Sequence, residues 1–322
     1  MADIAHEKTD KILEQMEKRL SAIYSRASKE VKEKADNYFK EFRKQDEKKR
    51  KLLADGKITE ADYKSWRKRK IMTGRRYIEL KEQLSTQLLH VNETATAYVN
   101  NQLPEIYALN YNSFDAGKIA GYSFNLVDAN TVKYLSETYH DLLPYRAIDA
   151  AKDVIWNKAK INSEILQGIL QGENMDSIAQ RLVKVTGSNY SSAIRNARTA
   201  VTGAENKGRL DSYERAQDDG LKVKKRWMAT LDSRTRHAHG MLDGKTAEID
   251  EPFKTEEFGD IMFPGDPTAK PANIYNCRCT MVADVGQRKG KTRVARDESG
   301  NSIVIENMTY SEWIEWKEKN KL

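Results

Sequence analysis

The residue types able to do chemistry in this 322-residue chain are concentrated in one stretch. Trp227 leads into Asp232, Arg234, Arg236, His237 and His239. Asp243-Gly244 and a Phe263-Pro-Gly-Asp-Pro267 loop follow, and Asn276-Cys277-Arg278-Cys279 ends the block. Both cysteines, two of the five histidines and four of the six prolines (Pro252, Pro264, Pro267, Pro271) lie within it. Three chemistries compete for His239, Cys277 and Cys279. In a structural core, free thiols act as small buried hydrophobes and His239 bonds to Asp232 or a backbone carbonyl. In a zinc site, two thiolates and an imidazole suit tetrahedral zinc, with His237 or Asp232 as fourth ligand, although Cys-x-Cys is not the usual Cys-x2-Cys spacing. In a metal-independent nuclease, His239 is the general acid and base, and Arg234, Arg236 or Arg278 stabilises a phosphoryl transition state. The burial habit of free cysteine favours the core, so no cofactor or metal is expected. A cysteine protease is weaker still, because nothing around either Cys suggests an oxyanion hole.

These residues need a scaffold, and its local parts are written nearby. Val223 to Leu231 mixes β-branched, aromatic and polar residues and predicts a strand ending at Asp232. Asp232-Ser-Arg234-Thr-Arg236 then forms a turn in which the carboxylate accepts backbone N–H groups. Asp243-Gly244 signals a tight turn. Cys277, Cys279 and Met281 alternate with Arg278 and Thr280, as in a strand with its cysteines inward. Thiols one residue apart make a strained disulfide, so both are expected reduced.

Upstream the chain reads as helix. Ile12, Leu13, Met16, Leu20, Ile23, Tyr24, Ala27, Val31, Ala35, Tyr38, Phe39 and Phe42 recur at three and four residues, one stripe along one long helix. Gly56 ends it and Thr59 caps a second helix, expected to run through Tyr63, Trp66, Ile71, Tyr77 and Leu80 toward Leu88. The pair makes an antiparallel hairpin over residues 1–103, with Pro104 as boundary to a helical region 104–220. Within that region Leu142-Leu-Pro144 starts one helix, Ile161 to Ile169 forms another, and Asn174 caps Met175 to Val185. The Gly-turn between the last two superficially suggests a helix-turn-helix, but Gln180, Arg181 and Lys184 are its only polar readers, which favours ordinary packing. Asn189 to Gln217 is a further helix with a small-residue face of Ala193, Ala197, Ala200, Val201 and Ala204. Arg195, Arg198, Asn206 and Arg209 lie near that face, to bind an anion or, as favoured, to pair with carboxylates such as Glu205 and Asp211. Residues 221–286 form the mixed signature domain, and 287–322 a basic linker, a hairpin and a terminal helix with a Thr309/Glu312 capping box. The fold class is α+β.

Charge is placed as unevenly as the chemistry. The net charge is +7, yet residues 40–76 alone hold fifteen Lys or Arg against six Asp or Glu. Lys48, Lys49, Arg50, Lys51 and Arg67, Lys68, Arg69, Lys70 are flanked by Tyr63 and Trp66, a composition suited to non-specific, salt-sensitive contact with a phosphate backbone. A solvated helix face is the alternative. The N-terminus has no basic start followed by an apolar core, and no run of eighteen apolar residues occurs, so a cytosolic protein without a membrane span is expected.

The ordered combination of Trp227, Asp232, Arg234, Arg236, His239, Gly244, the Phe263–Pro267 loop, Asn276, Cys277, Arg278 and Cys279 resembles the minor head proteins of tailed bacteriophages, the Mu F-like head-morphogenesis family. Ala197-Arg-Thr-Ala-Val-Thr-Gly203-Ala-Glu-Asn206 is similar to the family's Ala-Arg-Thr helix, and Met308-Thr-Tyr-Ser-Glu-Trp313 to its closing segment. The resemblance covers roughly residues 120–320, and His237 falls outside its pattern. It implies a non-enzymatic component of the capsid interior, assembled in the host cytoplasm and bound to the portal protein. Capsid or scaffolding proteins and double-stranded DNA are the further partners it implies, with roles in head morphogenesis and genome delivery. The alternative is a DNA-acting enzyme with its active centre in residues 232–279.

Overall fold

A computed structural model of the chain describes residues 3–114, 126–255, 259–286, 292–297 and 302–320. Its helices are α1 (Ile4–Ala54), α2 (Glu60–Ile71), α3 (Arg75–Tyr111), α4 (Ala129–Thr138), α5 (Ala150–Leu170), α6 (Met175–Asp218), α7 (His237–Leu242), α8 (Pro271–Ile274) and α9 (Tyr310–Asn320). Its strands are β1 (Lys224–Met228), β2 (Thr246–Ala247), β3 (Thr280–Asp284), β4 (Thr292–Arg296) and β5 (Ser302–Glu306). This is the α+β class that the sequence predicts. The chain divides into two compact units, one of Met1–Met16, Val99–Arg146 and Arg195–Leu322, the other of Glu17–Tyr98 and Ala147–Ile194.

The second unit is all helical. Val31, Ala35, Tyr38 and Phe39 of α1, Leu80, Leu84 and Leu88 of α3, Ile161, Ile165 and Ile169 of α5, and Ile178, Leu182 and Val185 of α6 share one core. α5 and the start of α6 cover the apolar stripe of α1. The second helix of the predicted hairpin is two helices. Thr59 caps α2 through a capping box with Asp62, and Gly74 at φ +88 separates α2 from α3. Buried amides link the helices in a chain, Tyr24 Oη to Asn92 (2.7 Å), Asn92 to Asn189 (2.7 Å) and Asn189 to Asn157 (2.9 Å).

Three other helix boundaries differ from expectation. α3 runs through Pro104 to Tyr111, so this proline ends nothing. The helix expected from Leu142 and the one expected from Ile161 are one helix, α5, opened by Asp149, whose carboxylate accepts from the Lys152 N–H (3.1 Å). Asn174 does cap α6, accepting from the Ser177 N–H (2.7 Å), but α6 continues through Gly187 to Asp218, since a glycine inside a helix costs only about 1 kcal/mol. Arg181 is buried against Glu173 and Glu164, which supports packing over DNA reading for this pair of helices.

The first unit holds the mixed domain. Its sheet has the order β2-β1-β3, all antiparallel, with Trp227 opposite Met281. β4 and β5 form a separate antiparallel hairpin, as expected; the turn expected at Glu298–Asn301 and most of the basic linker, residues 287–291, lie outside the described residues. The capping box of Thr309 and Glu312 opens α9, whose Trp313 is buried against Leu231 and Ala295 of this same unit.

Candidate functional site

The signature block folds against the part of α6 that lies in the first unit. Thr199, Thr202 and Asn206 stand at i, i+3 and i+7 and so share one helix face. Thr199 Oγ1 accepts from the Asn276 N–H (3.2 Å), Thr202 Oγ1 donates to the Cys277 carbonyl (2.6 Å), and Asn206 donates to the Cys279 carbonyl (3.4 Å) while accepting from the Met281 N–H (2.9 Å). The small residues Ala197, Ala200, Val201 and Ala204 are all buried there, which lets the strand approach the helix. Gly203 and Gly265 meet directly: a Cβ on Gly265 would lie 2.6 Å from the Gly203 nitrogen, and Gly265 has φ +83. The Phe263–Pro267 loop is thus a close-packed lid on α6.

Asn276 turns the chain into the cysteine segment with φ 56, a left-handed conformation that asparagine tolerates better than most residues. Beyond it Cys277 and Cys279 point inward and are buried, both as free thiols. β3 itself begins at Thr280, one residue after the cysteines. Arg278 points the other way, donating to Asp232 from both Nη1 and Nη2, the latter at 2.9 Å. Asp232 also accepts from the Arg234 N–H (2.9 Å) and Thr235 Oγ1 (3.2 Å), the turn expected from sequence. Burial works against its charge, but Arg278 prevails and holds the carboxyl below its usual range.

His239 sits on α7, 1% exposed, with Nδ1 3.6 Å from Cys277 Sγ and 3.6 Å from Cys279 Sγ. Trp227, wholly buried, lies edge to face on His239 (5.2 Å) and on Phe253 (5.3 Å). Ile261, Ile274 and Leu242 complete the surroundings. Hydrogen bonding from Cys279, with Arg236 and Arg278 nearby, pushes the Cys277 thiol down against the effect of burial, while the same bond and burial push Cys279 up. His239 does not bond Asp232, the partner the core reading offered it, because Arg278 takes that carboxylate. His237, on the same short helix, is exposed, and so is Arg234; Arg236 donates to the Tyr275 carbonyl. Gly244, at φ +77, donates to the Trp227 carbonyl (2.9 Å) and closes the β1–β2 turn. A general acid must reach the group it protonates, and His239 reaches only sulfur and the core.

The basic segment resolves into two populations. Arg67 is fully buried and Arg50 half-buried, both paired with the buried Asp46 (Nε to carboxylate 3.1 Å each), which also accepts from Tyr63 Oη (2.6 Å). Arg67 and Tyr63 are therefore core residues of the helical unit. Lys48, Lys51, Lys68, Arg69 and Lys70 are exposed, with Lys49 half-buried.

Two residues that carry the mixed domain escaped the sequence reading. Lys225 is buried on β1 beside Trp227, donates to the Ile249 carbonyl (2.9 Å), and has its pKa lowered by burial to about 8. Arg293 bonds both oxygens of buried Asp243 (2.7 Å each) and ties the β4–β5 hairpin to the β1–β2 turn. A signal for Lys225 exists in hindsight, a cation in phase with Trp227 on a strand.

The signature block falls within the stretch, residues 159–282, that matches the family described as Phage Mu protein F like protein. The chain is 29% identical over 306 residues to the Minor head protein GP7 of Bacillus phage SPP1, across 94% of this chain and 93% of that protein. It is also 30% identical over 156 residues to NAD(+)-arginine ADP-ribosyltransferase EFV of Enterococcus faecalis, across 48% of this chain and 30% of that protein. No solved structure matches it.

Proposed function

We propose that this chain is a structural minor head protein of a tailed bacteriophage, carried in the capsid interior. There it binds the portal protein and other head components and touches packaged DNA. The carrying observation is the near end-to-end similarity to the SPP1 minor head protein. The similarity to the transferase spans less than a third of that protein. Two features of the molecule agree with a non-enzymatic role: the one histidine among the buried cysteines is closed off from solvent, and the polar groups around it are committed to backbone. Among the described residues no helix is long and apolar enough to cross a membrane.

DNA contact falls to the exposed cations Lys48, Lys51, Lys68, Arg69 and Lys70, with Lys49 at their edge. Co-purification of the portal with procapsids that contain or lack this chain tests the docking. Neutralising Lys48, Lys51, Lys68 and Lys70 to Gln tests the DNA contact: retention should weaken, and its salt slope should fall by about 0.9 for each phosphate that the variant no longer neutralises. Unchanged DNA retention would leave a head protein without DNA contact. Cleavage of DNA or RNA by purified protein, abolished by His239→Ala, would favour the nuclease instead.

A further inference from the structure

We propose that His239, Cys277 and Cys279 form a zinc site that fastens the short helix α7 to the cysteine segment. The three ligand atoms, one imidazole nitrogen and two sulfurs, all lie within 4.8 Å of one another, and all three residues are buried. Both sulfur-to-nitrogen separations are 3.6 Å. Zinc takes thiolate at about 2.3 Å and imidazole nitrogen at about 2.0–2.1 Å, and on a tetrahedron those bond lengths put the sulfur–nitrogen edge at about 3.6 Å. The ligands already stand at the spacing that the ion requires.

The arrangement is held from outside the triad. Thr202 and Asn206 bind the carbonyls of the two cysteines, and Thr199 accepts from the N–H of Asn276, so the segment that presents the sulfurs is fixed along its backbone to α6. Trp227 fixes the imidazole ring from the side. A purely apolar core accounts less well for the same residues. Sulfur is a weak hydrogen-bond acceptor, so without an ion a buried imidazole has only two poor partners at Nδ1. Two thiolates and a neutral imidazole balance the charge of a divalent ion, and soft sulfur ligands select zinc over magnesium or calcium.

His237 is exposed and Asp232 is bonded to Arg278, so neither of the fourth ligands offered by the sequence joins the cluster. With three protein ligands the fourth position of a zinc ion would fall to a non-protein ligand. The role is structural, because the site lies inside the apolar cluster of Trp227, Phe253, Ile261 and Ile274.

Metal analysis of the full-length chain, purified reduced from zinc-supplemented cells, should give about one zinc per chain. That zinc should be lost in Cys277→Ser, Cys279→Ser and His239→Ala and kept in His237→Ala. Because ligand variants can fail to fold, the wild-type chain stripped by chelator is also titrated with cobalt. A thiolate-to-cobalt charge-transfer band should appear and saturate at about one equivalent, then vanish when zinc is added. Stripping should lower the melting temperature of the wild type, and zinc should restore it. Absence of zinc from the purified chain together with no charge-transfer band would overturn the proposal, as would loss of the metal in His237→Ala.

Discussion

Removing Asp243 should release the C-terminal hairpin and helix from the mixed sheet. Its carboxylate accepts from the Ala229 N–H (2.7 Å) on the β1 side, from two nitrogens of Arg293 (2.7 Å each) on β4, and from the Tyr310 N–H (2.8 Å) at the start of α9. Both partners of the ion pair are largely withdrawn from water, with side chains 1% and 9% exposed. Taking away one member of a buried pair strands the other charge, which costs about 3–5 kcal/mol. The two freed N–H groups add to that only where water cannot reach them, so Asp243→Ala is expected to cost about 4 kcal/mol. Arg293→Met should be milder, because Asp243 keeps two backbone donors. The double variant should be less damaged than the sum of the singles by about 2 kcal/mol, the sign of a direct coupling. Hydrogen exchange read by mass spectrometry on peptides from 292–297, 302–320 and 224–247 localises the loss: the first two should exchange faster in Asp243→Ala while peptides of α5 keep their protection. Additive singles, or a loss of protection spread evenly over α5 and α6, would show that Asp243 is not the joint described.

Gly265→Ala should destabilise the chain by about 2–4 kcal/mol, from a left-handed φ combined with the clash against Gly203, and should lower the melting temperature. Gly203→Ala should cost less, because its backbone is helical; an unchanged melting temperature in Gly265→Ala would refute the close approach. His6 Nδ1 donates to the Glu205 carboxylate at 2.8 Å; burial alone would lower its pKa, but the carboxylate overcomes it and raises it to about 9 from 6.5. A raised folded pKa means the stabilisation is fully present below about pH 6.5 and disappears as the pH climbs through about 9. Stability measured from pH 6 to 9.5 should therefore fall in the wild type and fall less in His6→Gln; parallel curves would remove His6 from the account.

How much of this was legible depends on the range of the signal. The stripe from Ile12 to Phe42 is visible because periodicity is local, and so are the turn at Asp232, the Thr309 capping box and the inward cysteines. The break at Gly74 and the absence of a break at Gly187 are not, since a lone glycine carries the same local meaning in both places and only the surroundings decide. Pro104 misleads for a similar reason: a missing N–H is a local cost that packing of Leu103, Ile106 and Tyr107 into the core overrides. Charge reading fails where tertiary partners intervene. Arg67 looks like its neighbours Lys68 and Arg69 in sequence, and only Asp46, twenty-one positions earlier, makes it a core residue.

The row Thr199, Thr202 and Asn206 shows what a motif can encode without chemistry. Each is polar on a face that is otherwise small and apolar, a pattern that reads as an anion site or as surface. Each is spent instead on the backbone of residues 276–281, more than seventy positions away. The same holds for Thr230, which donates to the Arg278 carbonyl (2.6 Å), and for Arg236 on Tyr275. These polar groups are used in fixing one strand and one short helix. Arg234, His237 and Asn276 are exposed, on the outside of the turn, of α7 and of the bend before Cys277, and Ser233, Met241 and Pro267 are among the other exposed residues of the block. A partner that recognises the block can read Arg234 and His237, and substituting those two should disturb docking while leaving the melting temperature in place.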